Sequence, residues 1–465
     1  MPNPTDSQIS APIVAKFGGT SLADFQAMQR CADIVINCPQ TSVVVVSASS
    51  GVTNLLVELS RATLSDAQRQ QALSQIEQIQ QQIIAKLTLS EQAQEQINHL
   101  LAQLSDISEA IAANPSAQLT DKLLSFGERL SSTLFTQVLM ANGASAVLFD
   151  VRDVMRTDTS FGKALPQVDE IKPLVVSRLL PLIKDNIVVT QGFIGADASG
   201  QTTTLGRGGS DYSAALLGEA LGAAQINIWT DVTGIFTTDP RITDQARALS
   251  EISFNEAAEL ATFGAKVLHP STLVPAMRTN IPVFVGSSRD PQAGGTMVRN
   301  RTEHQPVYRA IALRRSQTLV TVTSMDMLHA PGFLATVFTI LAKHNLSVDL
   351  VTTSEISIAL TIDSTDNDSS GRALLSDELL SELNQVCQVT IEENLALIAL
   401  VGNKIDSSYG VGTKLFGALG DVSVRLICHG ASQHNLCFLV ADDVASSVVS
   451  RLHHQMFQLE DGAVS

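Results

Sequence analysis

The sequence predicts an α/β protein: a three-layer α/β/α domain around a mostly parallel sheet, followed by two small βαββαβ units. Three observations carry this. Apolar and β-branched runs alternate with helical stretches through residues 1–300. One of them, Thr41–Ser47 (TSVVVVS), is a continuous apolar run, the pattern of a strand buried on both faces. The residues after Pro306 contain an internal repeat.

The elements follow in order. Pro12–Phe17 (PIVAKF) is a short apolar strand that runs into Gly18-Gly19-Thr20-Ser21, with a helix expected from Leu22 to Ile36. After Thr41–Ser47, the small residues Ser47–Thr53 (SASSGVT) form a loop before another helix. Residues 60–115 are rich in Gln. Leu73, Ile76, Ile79, Ile83 and Leu87, then Ile97, Leu100, Leu101, Leu104, Ile107 and Ile111, recur at spacings of three and four, which predicts two or three amphipathic helices. Ala146–Asp150, Asn186–Thr190, Gln225–Thr230 and Ile281–Val285 are read as strands, each ending in small or polar residues. Ligands of parallel sheets bind at the carboxyl ends of strands, so those ends are where chemistry is expected. Asp290–Thr296 (DPQAGGT) is read as a loop, and the boundary of a first domain, residues 1–300, is placed before Pro306.

The repeat begins at Leu319 and again at Leu397, each copy reading strand, Gly loop, helix, strand, turn, strand. Gly332 aligns with Gly412, and Val348-Asp349-Leu350 with Val424-Arg425-Leu426. Second helices follow at 370–384 and 443–457, and Gln388–Glu392 gives the first copy a last strand. The strand Tyr308–Arg314 is left over, and element counting assigns it to the second copy. The regulatory region, 308–465, then holds a first unit over 319–392, inserted within a second made of 395–460 plus 308–314.

Composition excludes several functions. The 465 residues carry 30 Lys+Arg against 46 Asp+Glu, a net charge of −16. That argues against a nucleic-acid binder, which would show a basic surplus. The five cysteines, Cys31, Cys38, Cys387, Cys428 and Cys437, show no CxxC spacing, and there is no HExxH; no metal ligand set is assigned. No run reaches the ~18 apolar residues of a membrane span, and the N-terminus lacks a basic segment followed by an apolar one. The expected location is cytoplasmic, with reduced thiols.

Several motifs can carry chemistry. Gly206-Arg207-Gly208-Gly209-Ser210-Asp211 precedes a helix near Tyr212. Glycines let the backbone approach an anion, a helix N-terminus offers free N–H groups, and Arg207 adds a planar fork. Lys16-Phe17-Gly18-Gly19 ends the first strand and is suited to clamp a phosphate. Trp229–Arg241 (WTDVTGIFTTDPR) suits a nucleotide pocket: a ring slot at Phe236, polar partners, and Arg241 for charge. Lys266 in Gly264–Pro270 (GAKVLHP) and Glu128 in the helical LLSFGERLSS are further candidates. No Walker A or GxGxxG spacing occurs, so neither P-loop nor dinucleotide chemistry is supported.

Taken in order, KFGGTS at Lys16–Ser21, the S-x-x-x-G-x-T loop at Ser47–Thr53, FGE at Phe126–Glu128, TTLGRGGSD at Thr203–Asp211, WTDVTGIFTTDPR and GAKVLHP resemble the aspartate kinases of the amino acid kinase superfamily. The resemblance spans the chain, since those enzymes also carry two C-terminal ferredoxin-like ACT units. It implies ATP with Mg²⁺, and L-aspartate as acceptor. Lys16, Gly18 and Gly19 would contact the transferring phosphate, with Asp211 orienting Lys16. Arg207, Gly208, Gly209, Ser210, Glu128, Ser47 and Thr53 would form the aspartate side, Arg207 on the α-carboxylate and Glu128 on the ammonium. Lys16, Thr230, Asp231, Phe236, Arg241 and Lys266 would form the ATP side; Phe236 stands where relatives commonly carry Tyr. In the first ACT unit, Met327, Ala330, Gly332, Phe333, Leu334, Val348, Asp349, Ser354 and Glu355 resemble an inhibitory lysine site. Ala330 replaces a hydroxyl residue frequent in relatives, which implies a weaker site. Arg425 stands where the first copy has Asp349, so the second copy would not take the same ligand. ACT units pair across chains in that family, which implies a homodimer or tetramer. The alternatives are another amino acid kinase, or an inactive amino-acid sensor on the same fold.

Overall fold

A computed structural model describes residues 11–264, 268–328, 331–344, 346–363 and 375–457. β1 (Ile13–Phe17) is buried along its length and enters a 3-10 turn at Gly19–Leu22. α1 (Phe25–Ile36) begins at Phe25 rather than Leu22, because the Asp24 carboxylate caps it by accepting the Ala27 N–H. β2 (Thr41–Val46) and α2 (Val52–Leu59) follow. The Gln-rich stretch is α3 (Asp66–Ile84) and α4 (Glu91–Ala113), and α5 (Ala117–Leu124) follows it; the three are capped by Ser65, Ser90 and Ser116. Ile76, Ile83, Ile97, Leu100, Leu104 and Ile111 enter the core from α3 and α4, as their spacing predicts. α6 (Phe126–Ala141), β3 (Ala146–Phe149), α7 (Val168–Leu174) and β4 (Ile187–Gln191) lead to a hairpin, β5 (Ile194–Ala196) with β6 (Thr202–Thr204). Then come α8 (Gly209–Leu221), β7 (Gln225–Thr230), β8 (Glu251–Ser253), α9 (Phe254–Thr262), α10 (Pro270–Thr279), β9 (Val283–Ser287) and β10 (Gly295–Arg299).

The sheet order is β3-β4-β2-β1-β7-β9-β10-β8, parallel throughout except where β10 returns beside β9. β1 lies centrally, with Lys16 in register between Val45 and Ile228. Strand alternation sends Ala15 and Phe17 into the core beneath α1 and α6, and Lys16 to the opposite face, beside α8. Phe17 stacks on Trp229 at 6.4 Å between centroids and meets Phe135 at 5.8 Å, so an aromatic floor lies under the strand ends. The loop expected over Asp290–Thr296 is shorter than the Pro and Gly content suggests. One turn at Pro291–Ala293 suffices, and β10 starts at Gly295. Gly294 has φ of 81°, and a Cβ on Gly295 would lie 2.3 Å from the Val285 carbonyl oxygen, so these glycines permit the tight reversal.

The chain divides into two compact units: 11–235 with 248–258 and 268–302, and 236–247 with 259–264 and the described residues from 303 on. The second unit contains β11 (Ala310–Thr323), α11 (Phe333–Lys343), β12 (Val351–Thr353), β13 (Ser357–Asp363), α12 (Asp377–Asn384), β14 (Gln388–Val401), α13 (Val411–Leu419), β15 (Leu426–His429), β16 (Asn435–Ala441) and α14 (Asp442–Phe457). They form one antiparallel sheet in the order β12-β13-β11-β14-β16-β15. β11 and β14 are each 14 residues long and pair along both halves. Ala310–Arg314 pairs with Leu397–Val401, and Leu319–Thr323 with Gln388–Glu392. Two cores result. Tyr308 and Ile311 pack with Ile398, Leu415, Phe438 and Val449. Val320 and Val322 pack with Val337, Ile358 and Leu379. The mostly parallel sheet and the two α+β repeats are those the sequence predicts.

Gly402, just past β14, donates its N–H to the His434 carbonyl, and a Cβ there would lie 1.9 Å from the Val307 carbonyl oxygen. Gly402→Ala is therefore expected to destabilise the second unit by about 2 kcal/mol or more, read as a lower urea midpoint for that transition.

Candidate active site

The carboxyl ends of β1, β2, β4 and β7 converge. Beyond the sheet, hydrogen bonds continue from Gly18 N–H to Trp229 O (3.1 Å), Ser47 N–H to Phe17 O (3.1 Å) and Gly192 N–H to Val46 O (2.9 Å). These bonds hold the glycine and serine loops at fixed heights above the aromatic floor.

Lys16 is nearly buried, and its ammonium lies 2.5 Å from Asp211 Oδ1, in the first turn of α8. Asp211 sits where a helix N-terminus favours negative charge, so strand and helix hold the lysine between them. Gly18 stands beside the Lys16 ammonium: a Cβ there would be 3.6 Å from Nζ. A Cβ on Gly19 would lie 2.9 Å from the Ala48 carbonyl oxygen, which keeps this loop pressed on the β2 loop. Gly208 has φ of 73° and caps α8; a Cβ on it would come within 2.5 Å of the His269 side chain. Position 208 thus needs glycine for both dihedral and space. The N–H groups of Gly209 and Ser210 open the helix, and Arg207 is exposed beside them.

Glu128 opens α6 and is 5% exposed, with Oε1 accepting the Ala48 N–H at 3.1 Å. Burial pushes its pKa up to about 8, against the pull of the hydrogen bonds and of the Lys16 charge. A Cβ on its neighbour Gly127 would lie 2.6 Å from the Ala48 Cβ, and the Ser131 hydroxyl donates to the Ser47 carbonyl at 2.7 Å. These contacts lock α6 to the loop of Ser47 and Thr53; Ser47 is half-buried and Thr53 exposed. His269 donates or accepts through Nδ1 with the Ser271 hydroxyl at 2.7 Å. Burial chiefly lowers its pKa; Asp211 opposes this, and the Arg207 and Lys163 charges add to it.

The structure therefore brings Lys16, Gly18, Gly19, Glu128, Gly208, Gly209, Ser210 and Asp211 into one cluster, with Thr230 and Asp231 at the adjoining end of β7. Phe236 and Arg241 belong to the second unit, where Phe236 is half-buried and the exposed Arg241 is bridged to Asp239 at 2.6 Å. Lys266 and Ala330 lie outside the described residues. Also in the second unit, Gly332 (φ 95°) opens α11 ahead of Phe333 and the exposed Leu334, and Met327 and Val348 are partly buried. Asp349 is bridged to Arg314 at 3.1 Å, the Ser354 hydroxyl meets Ser357 at 2.7 Å, and Glu355 is exposed.

Sequence reasoning missed four residues that the structure places beside those of the first unit: Asp121, Lys163, Gly192 and Phe193. The last two follow β4 directly, so its strand end was the available signal. A Cβ on Gly192 would come 2.6 Å from the Ser210 Cβ, and Phe193 takes φ of 71° while donating its N–H to the Ser213 hydroxyl. Asp121 lies in an ordinary helical stretch and carried no signal.

An amino acid kinase family model matches residues 11–287, and an ACT domain model matches 320–376 and 398–456. The chain is 53% identical over 450 residues to the lysine-sensitive aspartokinase 3 of Escherichia coli (strain K12), covering 97% of this chain and 100% of that one. It is 34% identical to the aspartokinase of Chlamydia pneumoniae, over 95% of this chain and 97% of that one. The solved structure of E. coli aspartokinase III with aspartate and ADP, described as its R-state, matches at a TM-score of 0.89 over 96% of this chain and all of that one. The same enzyme with lysine and aspartate, described as its T-state, matches at 0.82 over 96% of this chain and 99% of that one. By this likeness along nearly its whole length, the chain belongs to the amino acid kinase family and, within it, to the aspartokinases.

Proposed function

We propose that the protein transfers the γ-phosphoryl group of ATP to the side-chain carboxylate of L-aspartate, giving 4-phospho-L-aspartate, and that lysine bound to its first ACT unit restrains the reaction. The observation that carries this reading is the Lys16–Asp211 pair between two glycine loops, with the Glu128 carboxyl close enough to feel the Lys16 charge. The E. coli relative, solved with aspartate and ADP and separately with lysine, supports it.

The acceptor carboxylate has an ordinary pKa of about 3.9, so it is ionised at neutral pH and needs no general base. The difficulty is bringing this anion to a polyphosphate. Lys16 supplies a positive charge at the transferring phosphoryl, the Gly18–Gly19 backbone closes on it, and the α8 N-terminus adds oriented N–H groups. Arg207 takes the α-carboxylate and Glu128 the ammonium, so the side-chain carboxylate is left facing the phosphate. Thr230, Asp231, Phe236, Arg241 and Lys266 serve the nucleotide. Magnesium would supply further neutralisation of the phosphate charge; among the described residues no three His, Cys, Asp or Glu side chains converge as a cage for it. For lysine, the α11 N-terminus at Gly332 suits the carboxylate, and Glu355 and Asp349 the ammonium. β12 is an edge strand exposed along its length, which supports pairing of ACT units between chains into a homodimer or tetramer.

Lys16→Ala is expected to lower turnover by about a thousandfold, measured as aspartyl hydroxamate formed with ATP and Mg²⁺; near-normal hydroxamate from a folded variant would remove Lys16 from the reaction. Glu128 keeps its proton to about pH 8 in the free protein, whereas an ammonium ligand needs the carboxylate. Aspartate binding near pH 7 should therefore release a proton, and affinity should rise with pH from about 6 to 8, by up to about tenfold per unit. Calorimetry in two buffers of different ionisation enthalpy counts that proton, and Glu128→Gln should abolish both effects. The same shift makes stability fall as pH rises from the ordinary carboxyl value of 4.5 towards 8, since only the folded chain retains the proton there. Glu355→Gln should raise the lysine concentration for half inhibition by about tenfold; an unchanged inhibition curve would exclude Glu355 from the lysine site.

A further inference from the structure

We propose that Lys163 is a second cation for the substrate's α-carboxylate, acting beside Arg207, and that Asp121 is the positioning residue that holds both. This rests on the assignment of Arg207 to the aspartate side.

The segment carrying Lys163 is a built loop. Asp158 accepts hydrogen bonds from the Ser160 N–H (3.1 Å), the Ser160 hydroxyl (2.9 Å) and the Leu165 N–H (2.8 Å). The loop is docked on β6, which leads directly to Arg207: the Thr157 and Thr203 hydroxyls meet at 2.7 Å, and the Ala164 N–H donates to the Thr204 carbonyl at 2.8 Å. Asp121, on α5 and with no exposed surface, clasps the two segments together. Its Oδ2 accepts the Gly162 N–H (2.9 Å) and the Thr204 N–H (2.8 Å), and its Oδ1 accepts the Thr204 hydroxyl (2.8 Å). One buried carboxylate thus fixes the residue before Lys163 and the strand end before Arg207.

The two cations are brought to either side of one glycine. Gly206 has φ of 74°, and a Cβ on it would stand 3.4 Å from the Gly162 carbonyl oxygen and 3.5 Å from Lys163 Cγ. The Lys163 stem therefore lies against Gly206, next to Arg207. Both side chains are exposed. Both charges also reach the His269 imidazole, which packs on Gly208 and feels Asp211 as well, so Lys163 shares the field of the site. In a chain of net charge −16, an anionic substrate must find its attraction locally. A flexible ammonium beside a planar guanidinium attracts and holds a carboxylate without demanding a second fixed geometry. Lys163 is placed with the α-carboxylate, away from the reacting end, so its charge should govern KM for aspartate.

The test is steady-state kinetics of the full chain, varying aspartate and ATP separately. Lys163→Met keeps the stem on Gly206 and removes the charge. It should raise KM for aspartate about tenfold and leave KM for ATP within about twofold, with Lys163→Arg restoring the parent value. Asp121→Ala should also raise KM for aspartate. Asp121→Asn should recover most of it, because the amide oxygen can accept the two N–H groups while its NH₂ donates to the Thr204 hydroxyl. The Asn variant and the Lys163 pair keep the test valid if Asp121→Ala does not fold. An unchanged KM for aspartate in Lys163→Met, or a loss shared equally with ATP, overturns the proposal. Arg207→Met separates the two levels: raised KM there with no effect at Lys163 overturns Lys163 alone, whereas no effect in either overturns the aspartate-side reading beneath it.

Discussion

The ion pair between Lys16 and Asp211 is the constraint around which the first unit is arranged. It joins the central strand of a parallel sheet to the first turn of the helix on that sheet's face, two elements separated by nearly two hundred residues of chain. For the pair to form, β1 must be in register between β2 and β7, which places Lys16 one residue before the aromatic floor ends. The α8 N-terminus must also arrive at the same height, and Gly208 allows that because a side chain there would meet both a forbidden dihedral and His269. Without Asp211, a nearly buried ammonium would lose the carboxylate bridged to it; without Lys16, a carboxylate at a helix start would lose its ion-pair partner. A mutual requirement of this kind pins the lysine in one place before any substrate arrives, and preorganised charge is what phosphoryl transfer demands.

Glu128 follows the opposite logic. It is buried until its proton is favoured over its charge, although a neighbouring cation pulls the other way. In an acidic protein a carboxyl that stays neutral adds nothing to the repulsion felt by an incoming anion. Exposed cations and a hidden acid thus stand near the same strand ends in a protein of net charge −16.

The glycine motifs were legible in the sequence because their chemistry is local. GRGGSD and KFGG name their own dihedrals, helix start and charge within a few residues. The Gln-rich helices were legible for the same reason, their spacing being an intrinsic period. What sequence could not reveal depends on distant contacts. Asp121 stands on an unremarked helix and acquires its role from Gly162 and Thr204, far along the chain. The proton affinity of Glu128 follows from what covers it. Gly295 and Thr296, the first residues of β10, fall in the expected loop because Pro and Gly ordinarily mark one; here the glycines serve a tight reversal beside β9. Asp349, expected to face a ligand, is engaged by Arg314 in this structure, a pairing set by how β11 meets the segment before β12.

The two long strands of the second unit, β11 and β14, each serve both cores, one half apiece. Each repeat therefore owns a four-stranded half of one continuous sheet, and the two halves are joined through the backbone of these strands. Cutting out the first copy, 319–392, would sever both strands in the middle, although the core that Tyr308 and Ile311 share lies wholly outside that span. A duplicated module is usually free to be lost, swapped or allowed to drift. Here the halves are spliced through shared backbone, so one copy cannot be excised without breaking the strands that the other uses.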